Sequence, residues 1–233
     1  MNYLQLCQRV HLLLRIGEDR PGSAPLTVAA QQGVLAEIVG WVAMAYEDIQ
    51  RSKTHWLFMT GNGIMAMNIG VSEQNPATQG ISSYSKYLGS EADGKRSFVG
   101  VYTLTPADET PCFYIPYEQW ILGVYERGVS SAGNGRPAYF TSLPNGKLAF
   151  YPKPDIAYNV RIPYSRSVHS LTVDADTPII PVEHQMAIVW RAIRDYYCTT
   201  RENTREIRAA ANEQCKSAMY ALHRDQLPEF TVD

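Results

Sequence analysis

An α+β fold is what this sequence of 233 residues predicts: a helical bundle made by the two ends of the chain, with an antiparallel β-sandwich-like lobe inserted between them. Three observations carry that expectation. Apolar residues recur at three- and four-residue steps in 2–16, 33–54, 182–200 and 203–225, the spacing of amphipathic helices. Between about 56 and 171 that period is lost, and short runs rich in β-branched and aromatic residues take over. Two of those runs flank Asn145-Gly146, a dipeptide that tolerates the positive φ of a tight hairpin turn.

The first helix covers 2–16. Asn2 is suited to cap it; Tyr3, Leu6, Cys7, Val10, Leu13 and Leu14 share one face, and Gly17 ends it. "GEDRPGSAPLTVAAQQ" follows as a Pro/Gly/Ser-rich loop. The second helix lies in "GVLAEIVGWVAMAYEDIQRSKTHWLF" and ends near Thr54, with Leu35, Ile38, Val39, Val42, Ala45, Tyr46 and Ile49 on its apolar face. In the β-rich region, strands are expected in 98–104, 138–142, 147–152 and 157–164, with 138–143 paired to 147–151. "PYEQWILGVYERG" breaks the pattern as a short helix, Pro116 being suited to its first turn. Residues 72–96 are polar and Gly/Ser-rich and read as a long exposed loop. The third helix buries Met186, Val189, Trp190, Ile193 and Tyr196 or Tyr197. The fourth opens with Asn203 and Glu206 in capping-box spacing and buries Ile207, Ala211, Cys215, Ala218 and Leu222. The resulting boundaries are 1–55 with 176–225 for the bundle, 56–175 for the β-rich lobe, and 226–233 for an extended tail.

Composition excludes several functions. The net charge is −2 with no lysine-arginine block, so no basic stripe for sequence-reading nucleic-acid binding is expected. The longest apolar run, "VHLLL", is too short to cross a bilayer, and the first residues lack a signal-peptide pattern, so synthesis in the cytoplasm is expected. Cys7, Cys112, Cys198 and Cys215 are scattered without a CxxC pair and read as structural thiols.

A search for chemistry returns nothing that assembles. The five histidines show neither HExxH nor a zinc spacing, and His184 reads as a surface or capping residue. "DADT" at 174–177 begins like a calcium loop but lacks the sixth-position Gly and twelfth-position Glu, so it reads as a turn before Pro178. The Gly pairs at 61–63 and 133–135 lack the Lys-Ser/Thr of a phosphate loop and read as turns. Glu118 and Glu126, eight residues apart, would stand about 12 Å from each other along a helix, farther than a glycosidic acid–base pair. Ten aromatic residues between Tyr114 and Tyr164 could stack on a sugar or a single strand. Without interleaved Lys or Arg, core packing and a protein interface are the expected roles. No catalytic, cofactor-binding or metal-ligating residue is assigned.

Three blocks, "GVLAEIVGWVAMAYEDIQRSKTHWLF", "GRPAYFTSLPNGKLAFYPKPDIAYNVRIPYSRSVHSL" and "DTPIIPVEHQMAIVWRAIRDYY", occur in an order that resembles the head-to-tail adaptor proteins of tailed bacteriophages. The resemblance covers nearly the whole chain and is weakest across 60–135; Ile162-Pro163 stands where a Gly-Glu-like pair is expected. It implies a non-enzymatic virion protein of the neck or tail, a homo-oligomeric ring of about twelve copies docked beneath the portal protein. Tail, nozzle or fibre proteins would be the partners on the other side, and double-stranded DNA would pass through without sequence-specific binding. Leu227, Pro228, Phe230 and Val232 of the tail are the candidate portal contacts. Helices about 10 Å apart, about twelve to a circle, leave a bore of about 28 Å. Trp41 and Met44 lie off the main face of the second helix and mark a secondary seam, either to another element of the subunit or to a neighbouring copy. The alternatives are a carbohydrate-active enzyme and a glycan- or fibre-binding module built on the aromatic-rich lobe.

Overall fold

The computed structural model describes residues 1–14, 23–89, 99–125, 133–199 and 205–227. It is a mixed α+β structure with two compact units. The first comprises Met1–Met59 with Val168–Asp233, and the second Thr60–Ser167.

In the first unit, α1 spans Tyr3–Leu13, and Asn2 and Gln5 satisfy each other's backbone N–H in a capping box. The start of α1 is also held from far along the chain. Tyr3 N donates to Asp176 O at 2.7 Å and Leu4 N to Asp174 O at 3.3 Å. Here the "DADT" turn performs work that a calcium loop could not. Asp174 Oδ1 accepts from Val28 N at 2.6 Å and Thr27 Oγ1 at 3.1 Å, while Asp176 Oδ2 accepts from the backbone of Thr172 and Val173. Both carboxylates are therefore occupied by the protein's own donors.

Helix α2 spans Gly33–Ser52 and starts with Gly33 at φ +56°, a conformation that favours glycine. Ile38, Val42, Ala45, Tyr46 and Ile49 are buried, and Leu35 and Val39 partly so, as the periodicity predicts. Further along the chain two helices follow, one over Met186–Thr199 and one over Arg205–Gln226. The former, α4 in chain order after the short α3 of the second unit (Tyr117–Trp120), packs against both α2 and the latter, α5. The expected cap at Asn203 and the expected stop at Gly17 lie outside the described residues.

His184 corrects its sequence reading as a surface or capping residue. It sits in a single 3-10 turn ahead of α4, is buried, and places Nε2 3.4 Å from Asp225 Oδ2 in the last turn of α5. Burial of a histidine requires such a polar partner, which only the antiparallel return of α5 supplies. At the same end, Trp56 stacks between Phe58 and His223, with ring centroids 5.2 and 5.3 Å away, and donates Nε1–H to Ile49 O at 2.9 Å. The C-terminal ends of α2 and α5 therefore lie together.

The second unit is a curled mixed sheet of eight strands: β1 Thr60–Ala66, β2 Glu73–Gln74, β3 Tyr84–Tyr87, β4 Val99–Tyr102, β5 Thr110–Tyr114, β6 Tyr139–Ser142, β7 Leu148–Tyr151 and β8 Asn159–Arg166. The strand order is β1-β8-β4-β5-β6-β7-β2. Strand β8 pairs with β1 along most of its length; β4 and β3 share its other edge end to end. The β6–β7 hairpin forms in the predicted register, and Gly146 at φ +80° supplies the turn.

Three expectations are corrected here. The sheet is not purely antiparallel, because β5 and β6 run parallel. The chain between them is long enough for a crossover: it passes through α3 (Tyr117–Trp120) and one π-turn at Ile121–Tyr125. Residues 72–96 are not an exposed loop throughout, since β2 and β3 lie within them and Gln74, Ile81 and Tyr84 are buried. Gln74 misleads because it is polar yet buried: its amide bonds the backbone of Asn68 and Val71, satisfying an irregular turn. Finally, Gly61 and Gly63 lie within β1 rather than in a turn. A Cβ at Gly61 would stand 3.0 Å from the Tyr164 ring on the neighbouring strand, so glycine permits that close packing.

Candidate functional surfaces

Among the described residues, the chemistry-bearing side chains do not converge. Cys7, Cys112 and Cys215 are buried free thiols; burial first, and then Asp174, pushes Cys7 up to about 12, leaving it an unreactive thiol. Cys198 is free and exposed. Tyr46 is likewise raised to about 12 by burial; its hydroxyl lies 3.0 Å from His169 Nδ1 and accepts from Ile179 N at 3.1 Å. Gln50 brackets the same residue, accepting from His169 N at 2.9 Å and donating to His169 O at 2.8 Å. These contacts fasten the segment leading to α4 onto α2. Among the described residues, no group of three His, Cys, Asp or Glu side chains could hold a metal ion, and no helix is long and apolar enough to cross a membrane. Glu118 is exposed, and Glu126 lies outside the described residues.

What the fold does present are faces. On α2, residues beside the buried face form a stripe at helical spacing: Val34, Glu37, Trp41, Met44 and Asp48. Met44 is 56% exposed. Trp41 is half-buried, its inner part packed against the core of its own unit. Beside them, Gly40 has nothing within 4 Å of the place a Cβ would occupy. The patch is apolar in the middle, with a carboxylate toward each end.

A second face belongs to α5. Only Ala211, Cys215 and Leu222 are buried there, with Ile207 and Ala218 partly so, leaving a broad outer surface that includes Arg205, Ala209, Lys216 and a 70%-exposed Tyr220. Leu227 is half-buried against the core and prolongs the helix, its N–H donating to His223 O at 3.0 Å. Pro228, Phe230 and Val232, the other candidate portal contacts, lie outside the described residues.

In the second unit the aromatics divide by strand alternation. Phe140, Phe150, Tyr158 and Tyr164 point into the core, where Phe140 meets Tyr87, Tyr114 and Phe150 at centroid distances of 5.0, 5.5 and 5.7 Å. Their register neighbours Phe113 and Tyr139 face outward, 45% and 42% exposed and 6.3 Å apart. Trp120, Phe140, Phe150, Tyr158 and Tyr164 are thus buried and cannot serve as a stacking platform.

The outward faces are on α2, α5 and the sheet, and the family of the chain is shown by its sequence. Residues 1–230 match the family described as SU10 adaptor protein. The chain belongs to that family. This is a family of structural bacteriophage proteins and is not known as enzymatic. Membership implies contacts with other virion proteins, such as the portal and tail proteins, and a place in the virion neck. No curated protein sequence matches the chain.

Proposed function

We propose that this SU10-family adaptor is a structural connector that forms a homo-oligomeric ring of about twelve copies beneath the portal and joins the capsid to the tail. The observation that carries this reading is the family match along residues 1–230. The helical unit forms the ring and docks on the portal, helped by Leu227, Pro228, Phe230 and Val232. The sheet unit offers its outer face, with Phe113 and Tyr139, to tail components. Trp41 and Met44 belong to the seam between subunits. Duplex DNA passes through the bore without sequence-specific contact; the chain's net charge of −2 suits a wall that must not retain phosphates.

Electron microscopy of the chain with its cognate portal tests the reading directly. A closed ring of this chain on the portal is the expected result, and a complex without such a ring overturns it. Deleting 228–233, beyond the end of α5 and the core-packed Leu227, should weaken portal capture in a pull-down while leaving helical content unchanged; undiminished capture removes that segment from the interface.

A glycan- or fibre-binding role for the sheet unit rests on one observation, the exposed Phe113–Tyr139 pair. Retention on a glycan array that is lost in Tyr139→Ala would favour it.

A further inference from the structure

The outward faces of α2 and α5 match each other residue by residue. On α2 the stripe reads Glu37, Trp41, Met44, Asp48; on α5 it reads Arg205, Ala209, Asn212, Lys216. Both follow the same steps of four, three and four residues, so each spans about 16 Å from first to last at 1.5 Å per residue. Acidic residues end one stripe and basic residues the other. Between them, two large side chains on α2 face one small and one medium side chain on α5. Charge and shape are complementary together, which neither stripe can satisfy against itself.

Their placement within the helical unit makes this complementarity usable. Helix α4 packs against both α2 and α5, so the two stripes sit on separate helices, with Asp48 of the α2 stripe reaching α4 at Arg191. A surface on one helix that fits a surface on the other is a heterologous contact, the kind that closes into a ring by rotation. Direction agrees as well. The Trp56–His223 stack joins the C-terminal ends of α2 and α5, as two helices running the same way within one copy require. Rotation about an axis along the helices preserves that direction in the neighbour.

Height agrees too. Asp48 reaches Arg191 on α4 at 3.5 Å. His184 lies beside Asp225, and counting seven residues up α4 and seven back along α5 sets Arg191 level with Ala218. Lys216 is two residues from that level, or about 3 Å.

We propose that the α2 stripe of one copy seats lengthwise on the α5 stripe of the next, pairing Glu37 with Arg205, Trp41 with Ala209, Met44 with Asn212, and Asp48 with Lys216. This rests on the ring reading above and identifies its seam. The existing partners of these charges do not compete strongly. Asp48–Arg191 is a 3.5 Å contact with Asp48 half exposed, and Lys216–Glu213 is a pair exposed on both sides, so both are weak enough to be exchanged.

The test is disulfide trapping in a Cys198→Ser background, on complexes with the cognate portal. Met44→Cys combined with Asn212→Cys should give, on oxidation, a ladder of covalent multimers, because each copy links to two neighbours. Met44→Cys with Gln214→Cys, placed off the stripe, should not. Rings seen by microscopy without a ladder, an equal ladder from the off-stripe pair, or a cross-link to the portal instead would each overturn the seam. Absence of any ring in the unmodified protein would overturn the ring reading itself, which keeps the two failures distinct. A charge exchange provides a second measurement. Glu37→Lys with Asp48→Lys should lower incorporation about tenfold, the scale of turning two surface attractions into repulsions. Adding Arg205→Glu with Lys216→Glu should restore it. Four-fold variants that keep helical circular dichroism yet fail to assemble would rule the pairing out.

Discussion

In the helical unit, Gly40 sits in mid-helix on the outward face of α2 with open space where a Cβ would stand; in the sheet unit, Gly63 sits in mid-strand with Ile81 Cδ1 2.6 Å from that point and the Tyr164 ring 3.1 Å away. The same residue type serves opposite ends. In the sheet unit, glycine lets neighbouring rings and aliphatic groups close on the backbone, and the side chains there pack inward. In the helical unit it leaves open space on an outer face, at a cost in helix propensity. The contrast separates a glycine that the sheet unit's own packing requires from one that has open space beside it in the helical unit.

The strongest way to break this contrast is to attack the sheet unit's interior. Phe140 is fully buried among Tyr87, Tyr114 and Phe150. Phe140→Ala removes a large ring and leaves a cavity, with an expected cost of about 3–5 kcal/mol. Hydrogen exchange should show the loss in β6, β7 and β8 first, while amides of α2 and α4 keep their protection. Unaltered protection in the strands would mean that the ring cluster does not hold the sheet.

The two glycines then sharpen it, because their substitutions should differ in sign. Gly63→Val must displace Ile81 and the Tyr164 ring and should destabilise by about 1–3 kcal/mol. Gly40→Ala meets no atom and should stabilise the isolated chain by about 0.5–1 kcal/mol through helix propensity. Denaturant unfolding of both variants decides the matter. Two changes of the same sign would show that Gly40 is packed against something after all, or that β1 tolerates a side chain.

How far the fold was legible follows the same division. Helix periodicity is carried by the sequence alone, so the faces of α2 and α5 and the cap at Asn2 could be read. Helix α4 was read in part: Val189, Ile193 and Tyr197 are buried as expected, Met186 and Trp190 only partly so, and the buried Ala187, Ile188 and Ala192 lie off the expected face. The β6–β7 hairpin could be read because Asn145-Gly146 encodes its own turn. The rest of the sheet depended on partners distant in sequence. Strand β1 looks like a turn until Tyr164 lies beside its glycines, and Gln74 looks like loop until its amide is seen bonding Asn68 and Val71. The parallel β5–β6 pair could not be inferred because nothing local specifies direction across a crossover. Of the candidate interface, Trp41 and Met44 were visible as residues off an apolar face. Their complement on α5 has the same spacing in the sequence, yet it gains meaning only once α4 is known to separate the two helices.

The smallest effect lies where the helical unit meets acid. His223 is held below the ordinary histidine value of 6.5, first by burial and then by Lys53. It stacks on Trp56, while His184 and Asp225 lie at the same end. Because the folded imidazole resists protonation, the unfolded chain takes up the proton first as pH falls. This site therefore leaves stability undiminished above about 6.5 and lowers it below that, through the range set by the depressed folded value. Asp225, lowered by its hydrogen bond to Arg224, responds only at still lower pH, when carboxylates begin to protonate. His223→Phe keeps a ring against Trp56 but cannot titrate, so its thermal midpoint should fall less than that of the unmodified chain between pH 7 and 5. The difference should stay below about 1 kcal/mol, because the imidazole is only partly buried and solvent screens it. Identical slopes in the two proteins would show that the Trp56 stack gains nothing from a neutral imidazole, and that the end of α5 is held by shape alone.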